Sequence, residues 1–128
     1  MSLAYKLFIG GAWVDSEIDG TENVLNPSNE EVVGTVQRAS VADVKKALQA
    51  ANTAQEEWKR MPARSRADML RSFTAEIRKN SEKLAQLITR EQGKLLKVAR
   101  FEVEVTCSFI EYACEWARHI EGDIIPSD

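Results

Sequence analysis

Residues 25–36 read LNPSNEEVVGTV. An Asn-Pro pair enters a polar turn, and a β-rich run climbs out of it. Pro27 is pre-set in φ for the second position of such a turn, and Asn29 tolerates positive φ. The stretch therefore predicts two short strands, Glu22 to Leu25 and Val32 to Gln37, folded back on each other. Working toward the N-terminus, Asp19-Gly20 marks another turn. Before it, Lys6-Leu7-Phe8-Ile9 and Ala12-Trp13-Val14 flank Gly10-Gly11, a strong hairpin signal.

Working the other way, the period changes from two to 3.6. Ser40-Val41-Ala42-Asp43 resembles a capping box with Asp43 at its third position. Val44, Ala47, Leu48, Ala51, Ala54 and Trp58 then recur at helical spacing. Met61-Pro62 ends that helix and starts the next, whose stripe is Ala67, Leu70, Phe73 and Ile77. Asn80-Ser81 restarts the pattern as Leu84, Leu87, Ile88 and Glu91, and Gly93 is a helix stop. The longest predicted helix runs over 95–121. One of its faces holds Val98, Phe101, Val105, Phe109, Tyr112 and Trp116; another holds Val103, Cys107, Ile110, Cys114 and Ala117. Two apolar stripes predict a helix covered on much of its circumference. After Gly122, Ile124-Ile125 reads as the beginning of another strand. The fold class is α+β: N-terminal antiparallel hairpins over 6–38 followed by a helical layer over 40–122.

Composition bounds the function. The chain has 128 residues, the size of one domain, and a net charge of −3, so no global basic field favours nucleic acid or an anionic membrane. No apolar run approaches the ~20 residues of a membrane span, and the N-terminus lacks the h-region of a signal peptide. On one helix Cys107 and Cys114 would lie roughly 10 Å apart along the axis, too far for a disulfide, so both are expected reduced in a cytoplasmic protein.

Chemistry is sparse. The glycines at 10, 11, 20, 34, 93 and 122 make neither GxGxxG nor GxxxxGK. The one histidine, His119, is read as a surface residue near a helix C-terminus. Cys107 and Cys114 have apolar or acidic neighbours and are read as core thiols. Glu102 and Glu104 point about 200° apart at ~100° per residue, so they form no carboxylate pair; one is expected solvated and the other bonded to a helix end or a neighbouring helix. The basic run Lys59, Arg60, Arg64, Arg66 and Arg71, opposed in its own sequence only by Asp68, is read as a solvated helix start rather than a nucleic-acid surface.

The order of these features resembles the N-terminal segment of the NAD(P)-dependent aldehyde dehydrogenases. It comprises a Gly-Gly hairpin with Trp13, NPSNEEVVGTV, a helix ending at Trp58, Pro62 and Arg66. Glu91-Gln92-Gly93-Lys94, Glu102-Val103, Tyr112, Trp116 and Glu121-Gly122 complete it. The resemblance covers residues 6–128, and the stretch FIEYACEWARHIEGDIIPSD is most similar to the lactaldehyde and glycolaldehyde branch. It implies the N-terminal part of the aldehyde dehydrogenase fold, within its NAD-binding domain, ahead of the nucleotide-binding sheet. It implies an enzyme that oxidises an aldehyde to a carboxylate with NAD or NADP, through thiolate attack, hydride transfer and thioester hydrolysis. The family's catalytic cysteine, glutamate, oxyanion-hole asparagine and NAD loop have no counterpart in this sequence, and neither Cys107 nor Cys114 matches the nucleophile. The chain alone is therefore expected to be catalytically silent and to bind no cofactor.

Two minor sites are implied by the resemblance. One is an incomplete monovalent-cation site using the Glu91 carboxylate and the backbone carbonyls of Val24 and Leu25. The other is a substrate-tunnel wall of Phe101, Val105 and Phe109. Glu30 stands where the family usually has Gly, and a non-glycine residue at positive φ costs about 1 kcal/mol, so the turn there is expected to differ locally. Without the sheet these helices would cover, an apolar face is left open and self-association is expected, with neither nucleic acid nor membrane as partner. The alternative is a non-enzymatic helical interaction module.

Overall fold

A computed structural model describes residues 3–119 and 121–122. Five strands come first: β1 (Leu3–Tyr5), β2 (Leu7–Ile9), β3 (Ala12–Val14), β4 (Thr21–Leu25) and β5 (Val32–Gln37). Four helices follow, α1 (Val41–Arg60), α2 (Ala63–Lys79), α3 (Ser81–Gln92) and α4 (Leu96–Glu115), and then a 3-10 turn over Trp116–Arg118. The α+β expectation holds.

β2 and β3 form the expected hairpin, with Phe8 opposite Trp13. Gly10 and Gly11 sit at φ of 61° and 84°. A two-residue turn with both central residues at positive φ matches the right-handed twist of the strands, and glycine reaches it without a Cβ clash. β4 and β5 pair antiparallel with an irregularity at Val24/Leu25. The turn between them is closed by Glu30 N–H donating to the Asn26 carbonyl at 2.7 Å and by the Asn26 side chain accepting from Ser28 N–H at 3.0 Å. Glu30, not Asn29, takes the positive φ, at 59°. The left-handed position thus persists with a glutamate in it.

One pairing departs from the antiparallel expectation. β1 lies parallel to β5, with Leu3 beside Gly34 and Tyr5 beside Val36, so the larger sheet is mixed, in the order β1-β5-β4. A three-residue strand whose partner lies some thirty positions away leaves no local turn signal to read.

α1 starts as its sequence says. The Ser40 hydroxyl accepts from Asp43 N–H at 3.0 Å, and the Asp43 carboxylate accepts from Ser40 N–H at 2.8 Å. The same carboxylate, 2 % exposed, also accepts from the Ser16 hydroxyl (2.8 Å) and Glu17 N–H (3.2 Å), tying the loop after β3 to the helix. These donors, the Ser40 N–H foremost, hold the Asp43 pKa at about 2. Its folded pKa lies below the unfolded value near 3.9, so its contribution is present above that value and is lost as pH falls toward 2. Replacing Ser40 with Ala removes one cap bond and should cost about 1 kcal/mol in chemical denaturation. Asp43→Asn should cost more than Ser40→Ala at neutral pH and flatten the stability profile between pH 4 and 2. An unchanged acid profile would refute the assignment.

α2, α3 and α4 form the helical layer. Its centre is Ala85, Ala99 and Val103, flanked by Ile77, Leu84, Ile88 and Leu96. Cys107 and Cys114 are buried free thiols, and the Cys114 thiol faces the Ala67 carbonyl at 3.5 Å. Arg78 on α2 reaches Glu104 and Glu111 on α4, and Arg100 on α4 grips Glu82 on α3 at 2.8 and 2.9 Å.

Three expectations need correction. In α2, Phe73 is exposed and Thr74 is buried, its hydroxyl donating to the Leu70 carbonyl. In α4, only the stripe through Val103, Cys107 and Cys114 is buried; the stripe of Phe101, Phe109, Tyr112 and Trp116 is open. The predicted run to residue 121 instead ends its α-helical part at Glu115 and tightens into the 3-10 turn, closed by His119 N–H donating to the Trp116 carbonyl at 2.9 Å. The strand read at Ile124-Ile125 lies outside the described residues.

Candidate functional site

Two places gather residues singled out by sequence. The first is the junction between the end of α3 and the turn at 26–30. α3 ends at Gly93, in the left-handed region at φ 66°, with its N–H on the Thr89 carbonyl at 2.9 Å. A Cβ there would meet the Pro27 ring at 2.9 Å, so this glycine allows the Asn-Pro turn and the helix end to touch. That contact brings together the segments carrying Glu91 and Val24-Leu25. Glu91 is exposed and has no hydrogen bond or ion pair among the described residues. One carboxylate and two main-chain carbonyls are fewer oxygen donors than a hard cation takes. Among the described residues no cluster of three or more His, Cys, Asp or Glu could hold a metal.

The second place is the outer face of α4. Val105, Ser108, Phe109 and Tyr112 line an open apolar hollow of about 320 Å³. Val105 and Phe109 are thus brought together, while Phe101, one turn earlier than Val105, is 69 % exposed. Ser108 and Tyr112 belong to the hollow although the tunnel reading left them out; both follow from helical spacing around Val105 and Phe109. Tyr112 and Trp116 meet edge to face, ring centroids 6.0 Å apart. Such a surface supplies an apolar wall and carries neither nucleophile nor base.

The remaining charged residues are engaged in structure. Glu102 pairs with Lys94 and Glu104 with Arg78, so neither is the solvated acid expected. In the basic run, Lys59 and Arg60 reach Glu56, and Arg64 and Arg71 reach Asp68. The opposing charge at Glu56 lies one helical turn back, outside the run as read. His119 is exposed, its ring beside Trp116.

For a dinucleotide the fit is poor. The N-terminus of α1 already holds the Asp43 carboxylate, which occupies its N–H groups and repels phosphate, and among the described residues no glycine-rich loop opens a helix. No chemical step is therefore assigned to such a cofactor on this chain's residues.

Short strand pairs feeding a helical layer, with one long helix left apolar on its outer face, make up the scaffold of a larger α+β enzyme. The model of the aldehyde dehydrogenase family matches residues 13–128, and the chain belongs to that family. It is 50% identical over 97% of its length to a 3,6-anhydro-alpha-L-galactose dehydrogenase of Vibrio sp. (strain EJY3), and 39% identical over 97% to the lactaldehyde dehydrogenase of Escherichia coli (strain K12). The chain spans about a quarter of the length of these curated relatives, 26% of each. Among solved structures, a 3,6-anhydro-L-galactose dehydrogenase in complex with NAP matches 98% of the chain with a TM-score of 0.92 at 51% identity, over 26% of its own length. The Escherichia coli lactaldehyde dehydrogenase structure matches 100% with a TM-score of 0.94 at 38% identity, over 27% of its own. No helix among the described residues is long and apolar enough to cross a membrane.

Proposed function

We propose that this chain is the N-terminal scaffold of an NAD(P)-dependent aldehyde dehydrogenase and is catalytically silent on its own. In the whole enzyme an aldehyde is oxidised to a carboxylate. The observation that carries the reading is the match along nearly the entire chain to dehydrogenases about four times its length. The apolar wall of Val105 and Phe109, with Phe101 beside it, suits the approach of an aldehyde rather than its chemistry. Glu91 with the carbonyls of Val24 and Leu25 would contribute part of a monovalent-cation site. Buried thiols at Cys107 and Cys114 suit a reducing, cytoplasmic setting. The test is a stopped assay of the purified 128-residue chain with NAD or NADP and lactaldehyde or 3,6-anhydro-L-galactose. The expected result is no turnover above the buffer rate; NADH or NADPH formation that scales with chain concentration would overturn the silent reading.

A further inference from the structure

The chain exposes 10225 Å². A folded monomer of 14.4 kDa exposes about 6,800 Å² by the scaling of surface with mass. The excess is more than the roughly 800 Å² per partner of a standard interface and is of the size found in obligate ones. Much of the exposed apolar surface lies on one element. Phe101, Phe109, Tyr112 and Trp116 on the outer side of α4 and its 3-10 extension are each more than half exposed.

The charges beside this stripe are placed against the helix that carries them. Lys97 stands in the first turn of α4, where the dipole is positive, and Glu115 in the last, where it is negative; the first turn holds no acid and the last no base. Neither residue has an ion pair among the described residues. They lie five turns apart at about 3.6 residues per turn, on the same flank of the apolar stripe. On the other flank, Glu102 is already matched by Lys94.

We propose that the outer face of α4 is a self-association surface, on which a second copy of this chain docks with its α4 antiparallel. In a two-fold antiparallel pair, equivalent flanks meet with their ends reversed. Lys97 then faces Glu115 and the C-terminal end of α4 in the second copy, and the reverse contact repeats it. Both misplaced charges gain an opposite charge and a favourable dipole, and the two aromatic stripes cover each other. This inference does not rest on the dehydrogenase reading: the association state is measured without substrate, and the assay above is read whether or not the chain pairs.

Sedimentation equilibrium of the 128-residue chain should give a dimer that dissociates on dilution. Phe109→Glu should be monomeric with unchanged helical circular dichroism. Lys97→Glu and Glu115→Lys should each weaken association, by about tenfold for two reversed surface pairs. An equimolar mixture of these two single variants should associate as the parent does, because each supplies the charge the other lost. A monomer at ~100 µM, heterogeneous aggregates in place of a dimer, association that survives Phe109→Glu, or a mixture no tighter than either single variant would each overturn the proposal.

Discussion

Replacing Gly93 with Ala should destabilise the chain by about 3 kcal/mol, on the order of a 10 °C fall in Tm for a domain of this size. Two effects add. The residue sits at φ 66°, where an L side chain costs about 1–2 kcal/mol. Its new Cβ would also stand 2.9 Å from the Pro27 ring, too close without moving either the turn or the end of α3. Gly11→Ala separates the two, because Gly11 has a positive φ of 84° but open space around its Cβ position. Gly11→Ala should therefore cost only the backbone share, about 1 kcal/mol. Combining Gly93→Ala with Pro27→Ala should return the steric share. Equal losses at Gly93 and Gly11, measured by urea unfolding, would show that the contact between the turn and α3 carries no energy.

The second large effect is expected at Ala99. Ala85 and Ala99 are both fully buried at the centre of the helical layer, with Val103 packed beside them. The helices approach closely there because these side chains are small, and interaxial distance follows side-chain size at the contact. Ala99→Leu adds three carbons where no space exists, which should force α4 outward and cost about 3 kcal/mol. Ala75→Leu, on the exposed side of α2, is the control and should stay within about 0.5 kcal/mol. If Ala99→Leu unfolds at the same denaturant concentration as the parent, the packing described for the layer is wrong.

These two sites also show what the sequence could and could not convey. Gly93 was legible as a helix stop, since a left-handed glycine closing a helix is a local event. Its contact with Pro27 was not, because nothing near either residue signals the other. The capping box at Ser40 and Asp43 was legible for the same local reason, while the bonds from Ser16 and Glu17 that bury Asp43 cross from another part of the chain. In α4 both apolar stripes were visible, but their spacing does not say which turns inward. Shape decides: the stripe with Ala99, Cys107 and Cys114 admits close neighbours, and the aromatic stripe does not. Likewise Thr74 takes the buried place expected of Phe73 because its hydroxyl is satisfied by its own helix. The parallel strand β1 was missed because its partner is distant and its length gives no period. Of the candidate site, the spacing of Val105 and Phe109 was readable from the helix alone. The nearness of the Glu91 and Val24-Leu25 segments depends on the tertiary contact at Gly93.

The account stands on this chain being a working part of a dehydrogenase scaffold. The direct measurement is to exchange it for the matching quarter of the Vibrio 3,6-anhydro-alpha-L-galactose dehydrogenase, to which it is 50% identical, and to assay the folded chimera. Oxidation of 3,6-anhydro-L-galactose within about tenfold of the parent rate, equivalent to roughly 1.4 kcal/mol of transition-state stabilisation, is the predicted result. A chimera with native circular dichroism and no oxidation would contradict it.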